Sequence, residues 1–361
     1  MNKAVSIASF NLLNLRLPGV PFYSNPGYSE RDYKKKIRWT GALLDSLQAS
    51  IVGVQEVFDE QALTDCVKQS KSLRTASVIT APLADAANTL PRVGLISQLP
   101  LLAKVETLEN IPDAAVVALP GAPEIGAPEI AHNRFSRPVL ATTINLGTIA
   151  APIPARLYVV HLKSRRPKRL QAETDPAQKE PIGEDMDNPQ IEARAHLRAL
   201  MMRAAEATGV RQLILRDLVN SRTPVIVMGD FNDHAKAMTT ELITGRMYAR
   251  RLDRRDYTLW HAAALQRPNS LKRGIGYTNI HLGEPGSIDH ILLSEEFLKE
   301  SRHAIADVVS VDWFNDHLND KNPAYSDHGA IRASFRLKPG ETALQAPAAK
   351  PRRAVSRRKK S

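Results

Sequence analysis

The stretch Thr223 to Asp233 (TPVIVMGDFND) does most to restrict how this chain can fold. Val225, Ile226, Val227 and Met228 form a short apolar run behind Pro224, which suits a strand buried on both faces. Gly229 is expected to break the run. If extended backbone continues past it, Asp230 and Asn232 leave the chain on the same side, because side chains alternate along a strand. A carboxylate beside an amide at the end of a buried strand can align a water and hold a phosphoryl oxygen. An ordinary Asx turn would use the same residues.

Other segments repeat this form. Val5–Phe10, Ile51–Glu56, Ser77–Thr80, Val93–Ser97, the part of 135–146 that follows Arg137, Arg156–Lys163, Ser287–Leu293 and Ala330–Leu337 read as strands. Helical spacing or composition predicts helices over 30–47, 59–70, 190–219 and 236–244. The alternation is that of an α/β protein. Residues 17–29, 170–189, 266–286 and 312–325 have loop composition, as does the tandem GAPEIGAPEI at 121–130. Arg137 falls just before a strand, and Lys163, Arg165, Arg166, Lys168 and Arg169 crowd the exit of another.

Charge separates the body from the end of the chain. Removing the seven basic residues of 346–361 from the net charge of +11 leaves +4 for the remainder. The end is rich in Ala, Pro, Lys and Arg and cannot bury enough apolar surface to fold, so 341–361 is expected to be a disordered basic tail. Such a tail can hold nucleic acid by counterion release or rest on an anionic membrane surface; it can equally be a solubilising end with no partner. No apolar stretch is long enough to span a bilayer and the N-terminus lacks the order of a secretory signal. With Cys66 the only cysteine, a cytoplasmic setting is the simplest expectation.

Several apolar strands end in, or contain, one of Asn11, Glu56, His161, Asp230, Asn232, Asp289, Asp327 and His328. Burying that many polar groups for separate structural reasons would be expensive, and convergence on one site is more economical. The set has the chemistry needed to hydrolyse a phosphate ester: oxygen donors for a hard cation, a carboxylate to activate water, and amide and imidazole donors for phosphoryl oxygens.

SFN at 9–11, QE at 55–56, HLKS at 161–164, GDFN at 229–232, IDH at 288–290 and SDH at 326–328 together resemble the endonuclease/exonuclease/phosphatase superfamily, the deoxyribonuclease I-like proteins. The resemblance spans roughly residues 4–337. It implies a four-layer α/β sandwich, two mixed β-sheets face to face with helices outside, formed as one catalytic domain over 1–340. It also implies that Glu56 binds Mg²⁺ or Mn²⁺ with Asn11 and Asp327 ligating directly or through water. Asp230 would orient or deprotonate the attacking water, and Asn232 would hold that water or a phosphate oxygen. His328 would donate to the phosphate with Asp289 fixing its tautomer and charge, and His161 would stabilise the transition state or assist the leaving group. Arg137 and Lys163 would contact phosphate.

SFNLLN differs from the Trp-Asn-x-Asn-Gly opening of the abasic-site enzymes in this superfamily, and the histidine at 161 is a second difference, so abasic-site repair is disfavoured. The expected function is a metal-dependent phosphodiester hydrolase acting on DNA or RNA. The alternatives are hydrolysis of inositol phosphates or phospholipid head groups at the same site, and noncatalytic nucleic-acid binding on the same fold.

Overall fold

The computed structural model describes residues 4–82, 90–123, 126–170, 173, 189–219, 221–246, 257–266, 276–320 and 322–338. In chain order the first elements are β1 (Ala4–Leu15), α1 (Glu30–Leu47), β2 (Ile51–Val57), α2 (Glu60–Gln69), β3 (Ser77–Thr80) and β4 (Arg92–Ser97). Next come β5 (Glu106–Asn110), β6 (Val117–Leu119), β7 (Ile130–His132), β8 (Arg134–Asn145), β9 (Pro154–His161), α3 (Pro189–Leu218) and β10 (Val225–Asp230). The remainder are α4 (Met238–Thr244), β11 (Trp260–His261), α5 (Ala262–Leu265), β12 (Asn279–His281), β13 (Glu284–Gly286), β14 (Asp289–Leu293), β15 (Ala306–Phe314) and β16 (Ala330–Leu337).

Two six-stranded sheets result, ordered β15-β16-β1-β2-β4-β3 and β11-β14-β10-β9-β8-β5. Each is mixed and has one parallel pair near its centre, β1 with β2 in the first and β9 with β10 in the second; the other pairings are antiparallel.

Side-chain alternation builds the layers. Val5, Ile7, Ile51 and Leu95 of the first sheet meet Leu157, Val159, Ile226, Met228 and Ile291 of the second in the central core. On the outer face of the first sheet, Ala8, Phe10, Val52 and Val54 pack under Leu44, Leu47 and Leu63 of α1 and α2. On the outer face of the second, Tyr158, Val160, Val225 and Val227 pack under Val210, Leu213 and Ile214 of α3 and Ile243 of α4. The four-layer sandwich expected from the resemblance is therefore the fold observed. Ser29 caps α1, its Oγ accepting from the Asp32 N–H at 3.1 Å, which satisfies a donor that the first helical turn leaves free.

Local expectations differ from the structure in four places. Gly229 does not break its strand; β10 continues to Asp230 with Gly229 at φ 149°, where an added Cβ would lie 1.9 Å from the Val160 carbonyl oxygen. Arg137 lies within β8 rather than before it. Part of 266–286 forms the β12–β13 hairpin, and β15 extends to Phe314, inside the segment expected as loop from 312. For β10, β8 and β15 pairing with a strand outside the segment supplies the extension, and the hairpin closes by pairing its own two strands, neither of which local composition reports. The basic segment 341–361 and the arginines at 250, 251, 254 and 255 lie outside the described residues.

Candidate active site

The polar residues gather where the two central parallel pairs end. In the second sheet Asp230 is in register with His161 of β9 on one side and Asp289 of β14 on the other. All three share the parity of core residues Val159, Met228 and Ile291, so their side chains form one row on the inner face. Asp230, His161 and Asp289 are buried, and Asn11, the last residue of β1 in register with β2 before the strand shifts, faces them from the opposite sheet. Asn11 Nδ2 donates to Asp230 Oδ2 at 3.1 Å and to Glu56 Oε1 at 3.2 Å.

Glu56 reaches this position through a backbone irregularity. By simple alternation it would join Val52 and Val54 under the helices. Instead it has φ 60°, within a register shift between Val54 and Val57, and Leu13 and Asn14 on β1 have φ 51° and 50° in a matching shift. Such conformations are uncommon for residues other than glycine and cost about 1 kcal/mol or more each. The Asn14 N–H donates to Glu56 Oε2 at 3.0 Å, and the Tyr28 hydroxyl holds the same turn through the Leu13 and Asn14 carbonyls at 3.3 and 3.2 Å.

His328 enters from the turn before β16. Its Nδ1 lies 2.9 Å from Asp289 Oδ2 and its Nε2 lies 3.9 Å from Asp230 Oδ2, while His161 Nε2 approaches Asp230 Oδ2 at 3.4 Å. Ser326 ties the turn to β1, its hydroxyl donating to the Asn11 carbonyl at 2.7 Å and accepting the His328 N–H at 3.1 Å.

Burial and neighbouring charge divide the titratable groups. Burial pushes the Asp230 carboxyl up, Asp289 adds to this, and the imidazole of His328 only partly offsets it, giving about 7. Burial lowers His161 well below the usual histidine range, helped by Arg137, His328 and Lys163, so its imidazole is neutral. Burial also opposes charge on His328, but Asp289 and Asp230 outweigh it and raise the group well above the usual range. At neutral pH the site thus holds one protonated imidazole, one neutral imidazole and a carboxylate poised to take a proton.

The remaining predicted residues stand nearby with their groups committed differently. Asn232 has φ 54°, so extended backbone ends at Asp230; its Nδ2 donates to the Leu162 carbonyl at 3.0 Å and its N–H to Asp230 Oδ1 at 2.8 Å. The expected common exit of the Asp230 and Asn232 side chains is therefore not what the turn produces. Arg137 donates to the Leu162 carbonyl at 3.3 Å. Lys163 folds back on its own loop, Nζ donating to the Ser164 and Arg166 carbonyls at 3.0 and 2.8 Å, and burial with Arg137 nearby lowers it to about 8. Asp327 is exposed beside the buried His328. Of the basic crowd after β9, Arg165 pairs with Asp233 and Arg169 with Glu192.

Two groups of residues could hold a divalent cation. The Glu56 carboxylate lies next to Asn14, whose buried Oδ1 has no hydrogen-bond partner among the described residues, an oxygen set suited to Mg²⁺ or Mn²⁺. Asn11 as placed is a donor, its Oδ1 being taken by the Leu13 N–H at 3.0 Å. Asp230, Asp289 and His328 also bring ligand atoms within 4.8 Å of one another. A cation there would meet the His328 imidazole, which Asp289 and Asp230 favour in its charged form, a repulsion that the Glu56 carboxylate does not impose.

Sequence reasoning missed the supporting residues Tyr28, Ser326 and Glu206. Glu206 is wholly buried on α3 and accepts from the Ser136 and Lys163 N–H groups at 2.9 and 2.7 Å, fixing the approaches to Arg137 and Lys163. The available signal is a glutamate on the helical face that carries Ala199, Met202, Val210 and Leu213. A cleft of about 490 Å³ lined by Glu106, Arg156, Tyr158 and Asp217 opens at the other end of β9 and includes none of the predicted residues.

A family model described as the endonuclease/exonuclease/phosphatase family matches residues 8–328. No curated protein matches the chain. Among solved structures, a Bacteroides thetaiotaomicron endonuclease/exonuclease/phosphatase family protein is similar at 14% identity over 94% of this chain and 99% of its own, with a TM-score of 0.53. A mannosyl-6-phosphatase from the same species is 14% identical over 92% of this chain and 100% of its own, with a TM-score of 0.51. A truncated Caenorhabditis elegans TDP2 is 15% identical over 92% and 98%, with a TM-score of 0.50. At these identities the likeness concerns the fold.

Proposed function

Because the chain belongs to the endonuclease/exonuclease/phosphatase family, a family of phosphoesterases, we propose that it is a Mg²⁺- or Mn²⁺-dependent phosphodiester hydrolase that cleaves nucleic acid. The observation that carries this reading is Asp230, buried at about 7 between two imidazoles of opposite protonation. A carboxylate with that affinity for protons accepts one from water near neutral pH far better than an ordinary aspartate. Nε2 of the protonated His328 donates to a non-bridging phosphate oxygen while Asp289 keeps the ring charged. His161, neutral and with a buried Nδ1 that has no hydrogen-bond partner among the described residues, offers polar contact to the leaving oxygen without adding charge. Glu56, with Asn14 beside it and Asp327 as the further oxygen donor that the family resemblance implies, would hold the cation, which when bound would supply positive charge to the phosphoryl group.

Nucleic acid is favoured over a small phosphoester by the cationic surface next to this row. Arg166 and Lys168 are exposed at the exit of β9 and have no ion pair among the described residues. Repeating phosphates gain from such a surface at every step, and a single head group does not. The fold is shared with a mannosyl-6-phosphatase, so the small-phosphoester reading is the competitor the experiment must address.

Labelled single-stranded DNA, duplex DNA, RNA, a sugar phosphate and phospholipid vesicles are incubated with the protein and Mg²⁺ or Mn²⁺, with and without EDTA. Cleavage of a nucleic acid that EDTA and Asp230→Asn each abolish supports the proposal. Release of phosphate or head group with all nucleic acids intact overturns it.

A further inference from the structure

The loop between β1 and α1 presents an aromatic side chain that the proposed chemistry does not use. Tyr23 is 55% exposed, yet it is firmly placed. Its backbone has φ 51°, and Phe22 and Asn25 exchange backbone hydrogen bonds of 3.1 and 2.9 Å around it. Phe22 is buried against Phe58 and Tyr28, and the Tyr23 ring meets Phe58 edge-on with centroids 5.8 Å apart. Phe58 lies two residues beyond Glu56, and Arg137 stands beside the Tyr23 hydroxyl with Glu56 and Arg166 close enough to act on it electrostatically. An exposed ring in a costly backbone conformation, at the rim of the site and next to a guanidinium, is poorly explained by packing.

We propose that Tyr23 is a stacking platform for an unpaired nucleobase beside the scissile phosphate, with Arg137 holding an adjoining phosphate. This rests on the reading of the substrate as nucleic acid and narrows it to single strands and open ends. Every base presents a π-face, so one ring serves any sequence. Within a duplex that face is already covered, and exposing it requires the base to unstack and unpair. The guanidinium recognises phosphate through its planar donors, and the neutral ring beside it adds no competing charge.

The test is binding in EDTA, where cleavage plays no part. End-labelled oligothymidylate, an equally long sugar-phosphate chain of abasic tetrahydrofuran units, and a duplex of the same length are titrated by fluorescence anisotropy at fixed salt. The protein is expected to bind oligothymidylate about 10-fold more tightly than the baseless chain. Tyr23→Ala should bring the two affinities together, Tyr23→Phe should keep them apart, and Arg137→Gln should weaken both. Equal affinities in the unaltered protein overturn the proposal, as does a difference that survives Tyr23→Ala. Base-dependent binding without cleavage under any metal condition would refute hydrolysis alone, and cleavage with equal affinities would refute the stacking site alone.

Discussion

Asp289 and His328, 39 positions apart in the chain, are joined by a bond of 2.9 Å between Oδ2 and Nδ1. The pair connects the second sheet to the turn before β16 and leaves Nε2 of the imidazole directed toward Asp230 at 3.9 Å. Asp289 Oδ1 is buried without a hydrogen-bond partner among the described residues, and the carboxylate bonds the histidine through its other oxygen.

Asp289→Asn should reduce the turnover number about 10- to 100-fold, the range seen when a carboxylate supporting a histidine is lost. The raised pKa of His328 depends on Asp289 and Asp230 outweighing burial, so the imidazolium form should be lost at lower pH in the variant. A profile of turnover against pH should show its alkaline limb shifted to lower pH. An unshifted limb would mean that Asp289 does not set the charge on His328.

Asp230→Asn should abolish activity and stabilise the fold at neutral pH. The folded-state pKa is raised from 3.8 to about 7, so between these values the native protein binds more protons than the unfolded chain and stability declines as pH rises. The variant escapes this loss. Its thermal midpoint should exceed that of the parent at pH 8, by on the order of 2–4 kcal/mol in stability, with the gap closing near pH 4. A gap that does not vary with pH would count against a raised Asp230.

Glu56→Gln should weaken Mg²⁺ or Mn²⁺ binding at least about 10-fold, because a hard cation loses its charged oxygen donor. Calorimetric titration of each metal into parent and variant measures this directly. Unchanged affinity would move the cation to the Asp230, Asp289 and His328 group.

Lys36→Met should stabilise the protein by on the order of 1–3 kcal/mol at pH 7, as expected when a poorly compensated buried charge is replaced by a similar apolar side chain. The lysine is wholly buried, its Nζ has no hydrogen-bond partner among the described residues, and burial lowers it to about 8, with the ring of Tyr28 5.7 Å away. Since the folded-state pKa is depressed, parent stability should rise between about pH 8 and the ordinary lysine value of 10.5, and the advantage of methionine should shrink there. Thermal melts at pH 7 and 10 check both statements. A destabilised variant would show that the ammonium has a structural partner role after all.

The amino-acid order by itself established which segments are strands buried on both faces, and it placed a polar residue at the end of each central one. Period-two alternation is a local property, so the common facing of His161, Asp230 and Asp289 follows from the parity of their apolar neighbours once the strands are paired. The motif order then identified the family and through it the layers. Only the tertiary structure decided how the remaining groups are spent. Glu56 reaches Asn11 because two adjacent strands leave register together, Asn232 turns its amide to Leu162, and Lys163 folds onto its own loop. The Glu56 and Asn232 outcomes depend on a positive φ or on a carbonyl supplied by another segment, and a hydrogen bond between segments is set by where both partners lie in space, which no local pattern along one of them contains.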